Sequence, residues 1–135
     1  MKGLTRILCL FLSASMLFLT SCGDSESACV QEDWVGVYTG TSTITENNIS
    51  DTDLPTELTI IANGNDFINV SFEIERGGGV TETSGVDGLD ATSCSIDLTD
   101  GALSAMMDLD GNDLTADVSL DIFGILQKIE FTGSK

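Results

Sequence analysis

The chain has 135 residues, of which 22 are acidic, five are basic and none is histidine, and its formal net charge is −17 at pH 7. Without histidine, the Ser-His-Asp and Cys-His arrangements that activate nucleophiles and the usual His-ligated zinc or iron sites are excluded. A surface this negative repels phosphate backbones, so nucleic acid is not an expected partner. Two carboxylates could still act on a glycoside, but no pair stands out among so many, and we predict that the protein is not an enzyme.

The first segment has the order of a secretory signal. Lys2 and Arg6 give it a basic start, residues 7–19 are apolar, and small residues follow before Cys22. This apolar stretch is shorter than the roughly 20 residues that a membrane-spanning helix needs. We therefore predict a signal peptide over residues 1–21 and a mature chain that begins at Cys22.

The run Leu19-Thr20-Ser21-Cys22 resembles the lipobox of bacterial lipoproteins. The resemblance implies that Cys22 carries the lipid and that the membrane is a partner through this anchor. An ordinary signal peptide with Cys22 merely nearby is the alternative. Residues 22–33 are polar and acidic with little to bury, which predicts a tether between the lipid and a domain over residues 34–135.

The remaining cysteines form an even pair. Cys9 leaves with the signal and Cys22 is assigned to the lipid, so Cys29 and Cys94 remain in an exported, oxidising setting. We predict a disulfide between them, with two separate buried thiols as the alternative. Closing this loop contributes roughly 4 kcal/mol in the chain-entropy model.

Beyond the tether, apolar and β-branched residues alternate with a period of two, and no 3.6-residue stripe is present. Pairs such as Asn63-Gly64 and Asp100-Gly101 are typical of tight hairpin turns. Residues 47–55 are predicted to be a polar loop and residues 85–90 a turn, and Pro55 marks where the second strand can start. Eight strands are predicted, over residues 34–45, 56–62, 67–75, 80–84, 91–98, 102–109, 114–122 and 125–133.

The alternation assigns one face of each strand to the core. The predicted inward residues include Ile68, Val70, Phe72, Ile74, Thr92, Cys94, Ile96, Leu98, Leu103, Ala105, Met107, Leu109, Leu114, Ala116, Val118, Leu120, Ile122, Ile125, Ile129 and Phe131.

This pattern predicts an all-β fold, a single small antiparallel up-and-down barrel of about eight strands in which the first strand pairs with the last. A β-sandwich is the alternative. In an immunoglobulin-like sandwich the tryptophan lies well inside the interval between two bridged cysteines, whereas Trp34 comes only five residues after Cys29.

Three short motifs resemble the small lipocalin-like (calycin-like) lipoproteins of Bacteroidota. They are Trp34-Val-Gly-Val-Tyr-Thr-Gly, Asp110-Gly-Asn-Asp-Leu-Thr and Ile129-Glu-Phe-Thr-Gly-Ser-Lys. The resemblance implies a lipid-anchored outer-membrane protein. Asp24 and Glu26 resemble the surface-export signals of such lipoproteins, which favours the cell surface over the periplasmic face.

The acidic run over residues 108–113 has the composition of a possible calcium site. Asp108, Asp110, Asn112 and Asp113 place oxygen ligands near one another, but an EF-hand needs glycine at its sixth loop position, and here Gly111 is fourth. We predict a hairpin turn and no metal or cofactor, with weak Ca²⁺ binding as the alternative.

Two functional hypotheses remain open. The first is a non-catalytic binding module that holds a small apolar ligand in the barrel mouth or presents its loops to a carbohydrate or an envelope protein. The second is an envelope accessory protein whose barrel is packed solid and whose role is carried by its surface. Eight strands can enclose either packed side chains or one small ligand, and the apolar inward residues favour a packed interior.

Overall fold

The computed structural model describes residues 28–135, which form one short helix and eight strands. The elements are α1 Gln31–Trp34, β1 Gly36–Glu46, β2 Ile49–Ala62, β3 Phe67–Arg76, β4 Val80–Asp90, β5 Ser95–Asp100, β6 Leu103–Asp110, β7 Asp113–Ile122 and β8 Ile125–Ser134. The predicted signal peptide and the predicted lipid site at Cys22 lie outside the described residues.

All eight strands belong to one antiparallel sheet that curls into a half-barrel, in the order β4-β3-β2-β1-β8-β7-β6-β5. The predicted all-β, up-and-down barrel architecture is confirmed. The predicted pairing of the first strand with the last is also confirmed, because β1 pairs with β8 from Thr39↔Ser134 to Glu46↔Gln127. Within residues 28–135 no ladder joins β4 to β5, so the two sheet edges lie there rather than at the chain ends.

The core lies on the concave face of this sheet, where the period-two rows of apolar side chains meet. Ile68, Val70, Phe72 and Ile74 of β3 are all buried, as predicted. The rings of Phe72 and Phe131 pack edge to face, with centroids 6.3 Å apart. Such a pair contributes about 0.5–1.5 kcal/mol beyond its buried area.

The tether prediction was wrong at its last residues, and so was the start of the first strand. Residues 31–34 form α1, and β1 begins only at Gly36. The Asp33 carboxylate accepts a hydrogen bond from the Val30 backbone N–H at 2.9 Å, which closes this single turn. Trp34, predicted to open the first strand, is instead fully buried at the end of α1.

The loop predicted over residues 47–55 was wrong. The turn is only Asn47-Asn48, whose φ angles of 49° and 66° suit a tight hairpin, and β2 begins at Ile49. The first half of β2 pairs with β1 alone, since its ladder to β3 begins at Thr56↔Ile74. Pro55 therefore lies within β2, opposite Thr41 of β1 and just before the ladder to β3.

The turn predicted over residues 85–90 was wrong as well. β4 continues to Asp90, with a bulge in its pairing to β3 and a positive φ of 74° at Gly88. Residues 91–94 are a connection, and β5 begins at Ser95, so neither Thr92 nor Cys94 lies on an inward strand face.

Candidate functional site

One end of the barrel, which we call the disulfide end, carries Cys29, α1 and the connection between β4 and β5. The predicted disulfide is confirmed: Cys29 is bonded to Cys94, with their Cα atoms 4.8 Å apart. The Trp34 indole N–H donates to the Ser93 carbonyl at 2.9 Å, and the Tyr38 hydroxyl donates to the Trp34 carbonyl at 2.9 Å. The segment before β1 is therefore fixed as a cap on this end by the disulfide, by one buried hydrogen bond and by one partly buried hydrogen bond.

The connection from β4 to β5 is ordered by a local turn. The Asp90 carboxylate accepts hydrogen bonds from the Thr92 hydroxyl at 2.7 Å and from the Thr92 backbone N–H at 3.0 Å. These bonds favour the ionised carboxylate and hold the pKa of Asp90 below its usual value.

The interior between the two ends is filled by side chains. One pocket on this inner side has a volume of about 40 Å³ and is bordered by residues of β4, β6, β7 and β8, including Val86, Val118 and Ile129. Pockets for small molecules usually measure about 300–1,000 Å³. This pocket is therefore too small for a lipocalin-sized ligand unless the core rearranges.

The opposite end, which we call the rim, is closed by polar residues on the inward faces of four strands. This rim layer consists of Glu46 of β1, Arg76 of β3, Glu82 of β4 and Gln127 of β8. The Gln127 amide donates to Glu46 Oε1 at 2.8 Å and to Glu82 Oε1 at 3.2 Å. Because β8 and β4 are not neighbours in the sheet, the second bond crosses the barrel mouth.

Arg76 lies at the centre of this layer with three carboxylates around it. Its guanidinium nitrogens are 3.3 Å from Glu46 Oε1, 3.7 Å from Asp51 Oδ2 and 2.8 Å from Glu82 Oε2. The contact with Glu82 is an ion pair without a hydrogen bond, because the Arg76 Nε–H is not aligned with the oxygen. One positive charge facing three negative ones leaves the group at a formal −2.

A surface cleft of about 380 Å³ adjoins the rim layer. This rim cleft is lined by Glu46, Asn47, Leu120, Phe123, Ile125 and Gln127. Ile125 was predicted to face the core with Ile129, but it is 56% exposed, because it lies beyond the filled part of the barrel. The cleft therefore combines apolar walls with the carboxylate and amide of the rim layer.

The sequence analysis missed the rim layer, although its residues carry a signal. Each continues an inward row of its strand by two positions, as Glu46 follows Ile44 and Arg76 follows Ile74. A polar residue that ends an apolar row marks the point where the core meets solvent.

The weak calcium candidates lie at the disulfide end, away from the rim. Asp108 and Asp110 end β6, Asn112 is in the turn, and Asp113 begins β7 directly opposite Asp110. All four are exposed, and they form the predicted hairpin turn. Among residues 28–135, no group of three or more histidine, cysteine or acidic residues is placed to hold a metal ion.

Comparisons with protein-family profiles, curated proteins and solved structures found no match to this chain. Over the same described residues, no helix is both long and apolar enough to cross a membrane.

Proposed function

We propose that the protein is a lipid-anchored, non-catalytic module of the bacterial outer membrane that binds its partner through the rim. The filled interior is the observation that carries this proposal. An eight-stranded barrel without internal space for a ligand has only its outer surface for recognition. On that surface, the rim cleft has apolar walls formed by Leu120, Phe123 and Ile125.

The position of the anchor supports the choice of the rim. Seven residue steps separate Cys22 from Cys29, and an extended chain of that length reaches at most about 25 Å. The disulfide end is thereby kept close to the bilayer. The rim lies at the far end of strands such as β3 and β8, and ten residues of strand span about 34 Å. The rim would then face the medium, and Asp24 and Glu26 favour the cell surface as that location.

The anchor is tested by metabolic labelling with an alkyne analogue of palmitate. Wild-type protein should carry the label, and Cys22→Ala should lose both the label and the cleavage after Ser21. Cys9→Ala is the matched control and should be labelled like the wild type. Equal labelling of Cys22→Ala would assign the lipid to another residue and remove the anchor from the proposal.

The filled interior is tested with cis-parinaric acid, a fluorescent fatty acid, and the full-length protein in nonionic detergent micelles. Energy transfer from Trp34, the only tryptophan, should not exceed that expected from the micelle alone. Phe131→Ala, which removes a buried ring, should open space and raise the transfer. Stoichiometric, saturable transfer in the wild type would instead indicate a carrier with an internal ligand.

A further inference from the structure

The tip of the hairpin between β7 and β8 exposes an aromatic side chain. Its backbone conformation is one that aromatic residues rarely adopt. Phe123 has a φ of 55°, and its side chain is 101% exposed. The equivalent turn between β1 and β2 has Asn47 and Asn48 at similar φ angles. Asparagine adopts positive φ angles more readily than bulky residues do. Neither local geometry nor the core therefore explains a phenylalanine at this tip.

Further exposed apolar side chains lie at the same end of the barrel as Phe123. Ile125 is 56% exposed, Leu126 on the opposite face of β8 is 50% exposed, and Ile49 at the start of β2 is 74% exposed. Phe123 and Ile125 also form walls of the rim cleft. Apolar residues gathered around a cleft indicate a contact surface better than scattered ones do.

The negative charge beside this apolar surface favours some classes of binding partner over others. Glu46 lines the cleft and belongs to the Arg76 group, which keeps a formal −2. That field repels a second copy of this acidic chain and also repels anionic lipid headgroups. It attracts lysine or arginine side chains.

We infer that the rim cleft and the Phe123 tip are the docking site for a protein segment in which apolar and basic residues are interspersed. The inference rests on the proposed function and names the chemistry of its partner. Apolar side chains of the segment fill the space between Phe123, Leu120 and Ile125. Its lysine or arginine side chains meet Glu46 at the edge of the rim layer.

The probe is a fluorescently labelled peptide, Leu-Lys-Val-Lys-Leu-Lys, titrated against the full-length protein in nonionic micelles, with empty micelles subtracted. Two further peptides replace every lysine by glutamate or every apolar residue by serine. Wild-type protein should bind only the first peptide, with an affinity that falls as NaCl increases. Phe123→Asn should weaken binding at least tenfold while keeping the fold, because asparagine suits this turn.

Phe67→Asn is the matched control. Among residues 28–135, Phe67 is the other exposed phenylalanine, at 45%, and it begins β3 at the disulfide end. This variant should bind the lysine peptide like the wild type. Equal affinity of Phe123→Asn and wild type, or equal binding of the glutamate peptide, would overturn the inference.

A bilayer is the competing occupant of the tip. In vesicles of phosphatidylethanolamine and phosphatidylglycerol with brominated acyl chains, Phe123→Trp should show no more quenching than the wild type, whose Trp34 is buried. Strong quenching of the variant would assign the tip to lipid and overturn the protein-segment inference. The cis-parinaric acid result is independent of both outcomes, so a failed inference with a filled interior leaves the proposed recognition through the rim to a partner of other chemistry.

Discussion

Ser42 is a buried polar residue without a partner. It points inward from β1, it is 2% exposed, and its hydroxyl makes no hydrogen bond within residues 28–135. A buried hydroxyl left unpaired costs about 1–3 kcal/mol relative to a hydrated one. Ser42→Ala should therefore raise the free energy of unfolding by about 1 kcal/mol. Urea denaturation followed by Trp34 fluorescence measures the change.

Thr56 provides the contrasting case at a similarly buried position of β2. Its hydroxyl donates to the Leu54 carbonyl at 2.9 Å, so Thr56→Val removes a bond that is made. This variant should lower the free energy of unfolding by about 1 kcal/mol. If Ser42→Ala is as destabilising as Thr56→Val, the Ser42 hydroxyl has a partner after all.

Residue-level prediction from sequence succeeded where a single physical rule applied. Counting cysteines predicted the pair Cys29 and Cys94, once Cys9 was assigned to the predicted signal peptide and Cys22 to the predicted lipid, and the structure contains that disulfide. The rim contacts could not be predicted in the same way. Gln127 reaches Glu82 only because the sheet curls, and the extent of curling is not encoded in the alternation of either strand.

Two facing glycines allow a close approach between β1 and β8. Gly40 and Gly133 are direct cross-strand partners, and a Cβ added at Gly40 would lie 2.0 Å from the Thr132 carbonyl oxygen. The backbone must shift to admit it. Gly40→Ala should destabilise the protein by about 2–3 kcal/mol, as overpacking commonly does.

Gly77→Ala is the matched control, because an added Cβ meets nothing within 4 Å and its backbone is not left-handed. This variant should change the midpoint of thermal unfolding very little. Equal effects of the two substitutions would show that the loss of glycine flexibility, rather than crowding at the β1–β8 pair, governs the result.

The disulfide joins two elements that have few other links. It ties the segment before α1 to the connection between β4 and β5, across 65 residues of sequence. The double variant Cys29→Ser, Cys94→Ser should lose roughly 4 kcal/mol of stability. Amide exchange should become faster first in α1 and around Ser93, since the Trp34 cap depends on this bond. Uniform acceleration throughout the barrel would contradict that order.

Element prediction was most accurate where turns have strong signals. Asn63-Gly64 lies between β2 and β3, and Asp100-Gly101 lies where β5 ends and the turn to β6 begins. Residues 49–55 were misassigned because this part of β2 pairs on one side only and buries little, so it lacks the alternation on which the prediction relied.

At the scale of the whole molecule, the sequence predicted the pairing of the first strand with the last. It did not predict that β4 and β5 would be the two unpaired edges of the sheet. β4 and β5 follow one another along the chain, and consecutive strands usually pair. The connection over residues 91–94 is instead held by Cys29 and by Trp34, which draws it toward the cap. Asp87 on β4 and Asp97 on β5 place charges on the unpaired edges, which opposes pairing with other chains.

The last prediction concerns the charge of the whole domain. The chain has 22 acidic residues, and two of them, Asp24 and Glu26, precede residue 28, so 20 acidic residues accompany only three basic ones in residues 28–135. Arg76 and Lys128 already pair with carboxylates, and Lys135 lies over the Tyr38 ring. Most of the acidic residues therefore repel one another without a nearby cation.

Salt should relieve this repulsion. Raising NaCl from about 0.01 M to about 0.1 M shortens the screening length from about 30 Å to about 10 Å. We expect the protein to gain about 1 kcal/mol, which corresponds to a rise of about 4–8 °C in Tm for a domain of this size. A Tm that does not change with NaCl would show that the carboxylates are too far apart to destabilise the fold.

CaCl₂ at equal ionic strength separates screening from binding, with Asp110→Asn as the control. If the effect is screening, wild type and Asp110→Asn should respond alike to both salts. A larger response to Ca²⁺ that disappears in Asp110→Asn would instead reveal an ion bound at the turn between β6 and β7.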